Sequence, residues 1–92
     1  MLVLPDSITH SNALACLSSL KQAIAGESTA SILIDAAPLS RFDSAALAVL
    51  LELRRCALQM GRSFALQSMP PRLADLARLY GIAELLPPKN QA

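Results

Sequence analysis

Asp43 and Ser44 are the adjacent polar side chains whose types and position could do chemistry, because they stand just before a long helical pattern. Ser and Asp are the commonest helix caps, in which a side-chain oxygen accepts a hydrogen bond from a free backbone amide. The Ser44 hydroxyl is also a candidate phosphate acceptor, since a helix N-terminus tolerates an anion. A phosphate would add a charge of about −1.5 to −2. The sequence leaves both roles open: a plain cap, or a switch at the edge of a surface.

The other reactive side chains form no recognisable catalytic set. His10 is the only histidine and lies near a predicted helix start, where a surface or capping role is usual. Asp35 ends a predicted strand without a nucleophile and base pair or a phosphate-binding glycine loop, so we expect it to fix the following loop. Cys16 and Cys56 make no metal-ligand set and no CxxC motif. We expect no catalytic residue, no metal, no cofactor and no enzymatic activity.

Three helices must position these side chains. The patterns predict a first helix over residues 11–25, a second from Asp43 or Ser44 to about Met60, and a third within MPPRLADLARLYG. The helix starts are expected at Thr9 or Ser11, at Asp43 or Ser44, and at the prolines 70 and 71. The glycines that follow the helix ends are expected to be Gly26, Gly61 and Gly81. One face of the third helix is expected to carry Leu73, Leu76, Ala77 and Tyr80.

Short apolar runs between the helices predict strands. SILID (Ser31–Asp35) is expected as a central strand, SFALQS (residues 63–68) as the next, and residues 1–9, interrupted by Pro5, as a short or edge strand. Residues 36–43, AAPLSRFD, are typical of a loop, and residues 88–92 of a frayed tail. Alternating strands and helices predict one α/β domain over residues 1–92, a mostly parallel sheet of about four strands with three main helices packed on it.

The second helix carries apolar residues on two faces. At about 100° per residue, a broad stripe is expected to face the sheet: Ala46, Val49, Leu50, Leu53, Cys56, Ala57 and Met60. A second sector holds Leu47, Leu51 and Leu58 with Ser44, Ala48 and Arg55. Another helix of the same domain could cover that sector. Because the chain has only three predicted helices, we favour a docking surface with Ser44 at its N-terminal edge.

Composition favours a soluble subunit of a larger complex. The chain is 53% hydrophobic, with a mean hydropathy of +0.43, yet its apolar runs are far shorter than the roughly 20 residues of a membrane helix. The apolar content exceeds what so small an interior absorbs, which indicates a surface that a partner covers. The net charge of +1 and the three aromatic residues argue against nucleic-acid binding. The start MLVLPDS is unlike a signal peptide, so a cytoplasmic location is expected.

Residues 32–87 resemble the STAS domain family; their sequence is ILIDAAPLSRFDSAALAVLLELRRCALQMGRSFALQSMPPRLADLARLYGIAELLP. The earlier segment LPDSITHSNALACLSSL resembles a shortened form of the family's opening. The ending LARLYGIAELLP and the compact length are similar to MlaB-type subunits of the bacterial lipid-asymmetry transporter. Ser44 matches the family's switch Ser or Thr, and Asp43 matches its acidic neighbour. The family usually has glycine just after the switch position, whereas this chain has Ala45-Ala46.

The resemblance implies one of two partners. The first is the ATPase subunit of an ABC transporter that moves phospholipid, in which case the chain is a regulatory subunit at the inner face of the inner membrane and meets the membrane only through the complex. The second is an anti-sigma factor kinase, in which case the chain is an anti-sigma factor antagonist switched by phosphorylation of Ser44. For either partner, the expected binding residues are Asp43, Ser44, Leu47, Ala48, Leu51, Arg55 and Leu58.

Overall fold

The computed structural model describes residues 2–86 of the 92-residue chain. It contains strands β1 (Leu2–Val3), β2 (Ser7–Ile8), β3 (Ser31–Asp35), β4 (Arg41–Phe42) and β5 (Ser63–Gln67). Its helices are α1 (Ala13–Gly26), α2 (Ser44–Gln59) and α3 (Pro71–Leu79), followed by a 3-10 helix (Ala83–Leu85). The expected tail, residues 88–92, lies outside the described residues.

Strand β3 is the centre of a three-stranded parallel sheet of order β1-β3-β5, as the sequence predicted. Leu2 is paired with Ile34 on one side, and Ile32 with Phe64 on the other. Every strand pair in the described part of the chain is parallel, as expected when helices connect the strands. The α/β class with a mostly parallel sheet and three helices is therefore confirmed.

The expected sheet of about four strands is divided into two pieces. Strand β1 ends after Val3, because Pro5 has no backbone N–H to continue a ladder, and the chain then bends at Asp6. Beyond the bend, β2 pairs with β4 in a separate two-stranded sheet. The carbonyl of Asp6 accepts hydrogen bonds from the amides of Ser40 and Arg41, at 2.9 and 3.0 Å. The segment expected to be a loop thus contains a strand.

The start of α1 differs from the prediction. Asn12 is the N-cap, and its side chain makes no capping hydrogen bond. Instead its Oδ1 accepts from the backbone amide of Thr9 at 2.7 Å, and its Nδ2 donates to the carbonyl of Ser7 at 3.0 Å. The hydroxyls of Thr9 and Ser11 are hydrogen-bonded to each other at 3.0 Å. The prediction that Thr9 or Ser11 caps α1 is therefore wrong, and Gly26 is the last helical residue rather than the one that follows.

The sheet and helices enclose one apolar core. Helix α1 packs against α2, and α2 also contacts β5 and α3. Seven residues of the second helix were predicted to face the sheet. Five of them are buried: Ala46, Val49, Leu50, Leu53 and Ala57. Cys56 is half-buried, and Met60, which follows the last helical turn, is 45% exposed, so the core stripe ends one turn earlier than predicted.

Glycine ends α2 as predicted. Gly61 has φ +73°, a left-handed conformation in which a side chain would be strained, and the next amide, that of Arg62, donates to the carbonyl of Ala57 at 3.0 Å. Among residues 2–86, no helix has the length and hydropathy that crossing a membrane requires.

Candidate interaction site on helix α2

Asp43 is the N-cap of α2. Its backbone is extended, and its carboxylate accepts hydrogen bonds from two backbone amides: Oδ2 from His10 at 3.0 Å and Oδ1 from Ala45 at 2.9 Å. These two bonds, the one from His10 first, lower the pKa of Asp43 below its ordinary value. The ionised side chain therefore ties the start of α2 to the loop that precedes α1.

Ser44 is the first residue of α2 and is exposed. Of the two capping residues that the sequence allowed, the structure has Asp43 in this role. Within residues 2–86, no side chain or backbone group is hydrogen-bonded to the Ser44 hydroxyl. The hydroxyl thus lies free at the positive end of the α2 dipole.

A single stripe runs from Ser44 along the outside of α2, at alternating spacings of four and three residues. We call it the α2 face, and it consists of Ser44, Ala48, Leu51, Arg55 and Leu58. Such spacing places all five on one side of an α-helix. Leu51 is half-buried and the other four are exposed, with Leu58 at 47%. The face is therefore mainly apolar, with one hydroxyl at its N-terminal end and one cation.

Leu47 does not belong to this exposed face. It is only 3% exposed and is part of the core, so its assignment to an open docking sector is corrected. An open groove runs beside it, lined by Ser44, Leu47, Ala48, Leu51, Tyr80 and Ile82. Leu47 is thus covered within the domain itself.

Tyr80 and Ile82 form the second wall of that groove, a position that the sequence patterns did not predict for them. The helical pattern predicted Tyr80 on the same face of α3 as Leu73 and Ala77. Those two residues are buried, but Tyr80 is 57% exposed. Tyr80 is the C-cap of α3: its backbone is still helical and its amide donates to the carbonyl of Leu76 at 3.1 Å, but its side chain stays exposed at the end of the helix. The signal available in the sequence was Gly81, which has φ +73° and ends the helix just after Tyr80.

Arg55 is held in place by a neighbour on its own helix. Its Nε donates to Glu52 Oε1 at 2.9 Å and its Nη2 to Glu52 Oε2 at 2.5 Å. Lys21 of α1 reaches the same Oε2 at 3.2 Å. Hydrogen bonds from Arg55 and then Lys21 lower the pKa of Glu52 to about 2, while Glu52 raises the pKa of Arg55. The pair remains charged at neutral pH, with Arg55 still 57% exposed.

A family model described as "Mlab, STAS domain" matches residues 1–87. The chain belongs to the STAS domain family. The match covers β1 through the 3-10 helix, so the α2 face lies within the matched region. A search of curated proteins finds no match to the chain. STAS domains are protein-interaction modules, which makes a protein the general class of partner for this one.

The two alanines that replace the family's expected glycine have different surroundings in this STAS domain. Ala46 is fully buried, so its methyl group fills the core, and its amide donates to the Asp43 carbonyl at 3.0 Å. Ala45 is half-buried and gives its amide to the Asp43 carboxylate. Both alanines therefore support a regular helix start and lie off the α2 face.

The remaining reactive side chains of the STAS domain are dispersed. Asp35 Oδ1 accepts the amide of Ala37 at 3.0 Å, which fixes the loop after β3 as expected. His10 is exposed, and Cys16 and Cys56 are half-buried free thiols. Over residues 2–86, no three His, Cys, Asp or Glu side chains are grouped as metal ligands would be.

Proposed function

We propose that this STAS domain is a non-enzymatic subunit that binds and regulates the ATPase of an ABC transporter for phospholipids, and that it does so through the α2 face. The observation that carries the proposal is the outer surface of α2, on which Ala48, Arg55 and Leu58 are exposed. The family match to an MlaB-type domain supports the class of partner.

The composition of the α2 face suits a protein rather than a small molecule. Ala48 and Leu58 provide apolar area that a partner would remove from water, and the exposed Tyr80 extends that area across the groove. Aromatic and arginine side chains are enriched where protein interfaces derive their affinity, and Tyr80 and Arg55 are the two here. A partner helix or loop seated in the groove would contact Ala48 and Tyr80, and one that continues along α2 would also meet Arg55 and Leu58.

An anti-sigma factor antagonist is the alternative function, and one observation favours it. The Ser44 hydroxyl is exposed at the N-terminus of α2 and has no partner within residues 2–86, so a kinase could reach it. Under this alternative the partner of the α2 face is the kinase, and phosphorylation of Ser44 controls its release. The two functions use the same face and differ in the protein that binds it.

The proposal places the chain in the cytoplasm, at the inner face of the inner membrane and attached to the membrane through the transporter complex. Its own contribution is contact with the ATPase, so purified chain is expected to hydrolyse no ATP. Turnover that survives repurification and is lost on a point substitution in this chain would contradict the non-enzymatic assignment.

Copurification with a matched pair of variants tests the partner. Tagged chain is expressed in its own cells, and the proteins it retains are identified by mass spectrometry for the unmodified sequence, for Leu58→Asp on the α2 face, and for Leu14→Asp on α1. Leu14 is 83% exposed, so its replacement is a control for added surface charge. We expect the transporter ATPase with the unmodified chain and with Leu14→Asp, but not with Leu58→Asp. If the unmodified chain and Leu14→Asp, but not Leu58→Asp, instead retain a kinase-like anti-sigma factor, the chain is an anti-sigma factor antagonist.

A further inference from the structure

The guanidinium of Arg55 is occupied on one edge only. Nε and Nη2 are hydrogen-bonded to the two oxygens of Glu52, and within residues 2–86 Nη1 has no partner. Arginine carries five N–H donors in a planar fork, so the edge formed by Nη1 and the second N–H of Nη2 remains available. Arg55 is a member of the α2 face and its side chain is 57% exposed, so a partner can reach that edge.

From this geometry, and resting on the proposed function, we infer that Glu52 is a positioning residue that presents the free edge of Arg55 to a carboxylate on the ATPase. A guanidinium edge with two parallel N–H groups matches a carboxylate in two-bond geometry. Arg55 is the only charged member of the α2 face, whose other members are apolar or a hydroxyl. The complementary partner surface is therefore apolar, with one acidic side chain opposite Arg55.

Glu52 is suited to this role because it is itself fixed from two sides. Arg55 holds it from within α2, and Lys21 holds it from α1. A free arginine side chain loses considerable rotamer entropy when it binds, whereas a side chain already held in one orientation loses less. Glu52 therefore contributes to affinity without touching the partner.

The free chain gives the first test, which does not depend on the partner. In ¹⁵N spectra of the full chain, the Nε–H signal of Arg55 is expected to exchange slowly with solvent in the unmodified sequence and in Lys21→Met, which leaves both Arg55–Glu52 bonds in place. In Glu52→Gln the same signal should broaden and exchange faster. An Arg55 signal unchanged by Glu52→Gln would overturn the positioning role.

The second test is a double-mutant cycle with the purified ATPase subunit. We expect Glu52→Gln to weaken binding about fivefold and Arg55→Met about tenfold, with the double variant no weaker than Arg55→Met alone, because Glu52 acts through Arg55. Lys21→Met should weaken binding less than Glu52→Gln does, because Glu52 loses its contact with α1 but keeps both bonds to Arg55. Added salt should weaken binding of the unmodified chain more than that of Arg55→Met, since the lost pair is ionic.

The outcomes separate this inference from the proposed function. If Glu52→Gln and Arg55→Met bind the ATPase as tightly as the unmodified chain does, the inference is wrong and the proposed function stands. The same conclusion follows if the losses in binding free energy of the two variants simply add in the double variant. If added salt weakens ATPase binding equally for the unmodified chain and Arg55→Met, Arg55 does not pair with a carboxylate on the partner. If the unmodified chain does not bind the ATPase at all, the proposed function fails and the inference fails with it.

Discussion

The carboxylate of Asp43 joins two distant parts of the chain, because it accepts the backbone amide of His10, 33 positions earlier, at 3.0 Å. The same carboxylate caps α2 through Ala45. One side chain therefore both starts the helix that carries the α2 face and anchors that start to the loop before α1. Ser44, its neighbour, takes no part in either bond and is left for the surface.

Asp43→Ala and Ser44→Ala should consequently differ in stability. Asp43→Ala removes the acceptor for two backbone amides and should lower Tm by several degrees. Ser44→Ala removes a hydroxyl that has no partner in the described part of the chain and should leave Tm nearly unchanged, since alanine is a good helix former. Thermal unfolding followed by circular dichroism compares the two, and equal losses would show that Ser44 shares the capping role.

Leu47 and Leu58 should separate core from surface on α2. Leu47→Ala leaves a cavity in the core and should cost about 2 to 5 kcal/mol of unfolding free energy. Leu58→Ala, at a position that is 47% exposed, should cost about 1 kcal/mol or less. Urea titrations give both values. A loss at Leu58 as large as that at Leu47 would mean that Leu58 is covered in the free domain, and the α2 face would be shorter than described.

Glu52 gives a pH dependence with a definite sign. Its pKa is about 2 in the folded chain, below the ordinary value of 4.5, so ionised Glu52 stabilises the fold at all pH values above about 4.5. That contribution declines as the pH falls from 4.5 towards 2, and exposure of the pair keeps it modest. The stability difference between the unmodified chain and Glu52→Gln should therefore shrink over this range. Urea midpoints at several pH values measure it, and a difference independent of pH would contradict the ion-pair assignment.

Ser44→Glu should separate stability from binding. A negative charge at the first helical position interacts favourably with the α2 dipole, so Tm should equal or exceed that of Ser44→Ala. The same charge would enter the groove beside Ala48 and Leu51, where covering it with a partner is costly. Binding of the identified partner should weaken strongly, as measured by titration calorimetry. If Ser44→Glu binds as tightly as the unmodified chain, Ser44 lies outside the interface.

The sequence predicts the order of elements well where local signals are strong. The central strand SILID, the helix after Asp43 and its end at Gly61 each follow from propensity and turn chemistry. Strand β4 could not be predicted, because two residues in a loop carry no periodicity and pair only through the bend at Asp6. Tertiary contacts also determine which leucines of α2 are exposed. Leu47 and Leu58 lie on nearly the same side of a helical wheel, but Leu47 is buried and Leu58 is exposed.

Binding through the α2 face can be measured by titrating the purified ATPase of the proposed transporter with the unmodified chain, Ala48→Glu and Leu14→Glu. Ala48 is exposed within the α2 face, and glutamate keeps the helix, so the fold should be retained. Leu14→Glu places the same charge on exposed α1. We expect saturable binding by the unmodified chain and Leu14→Glu, and binding weakened at least about tenfold in Ala48→Glu, because the charge would enter a desolvated interface. Equal affinity of all three proteins would contradict the assignment of the α2 face as the binding surface.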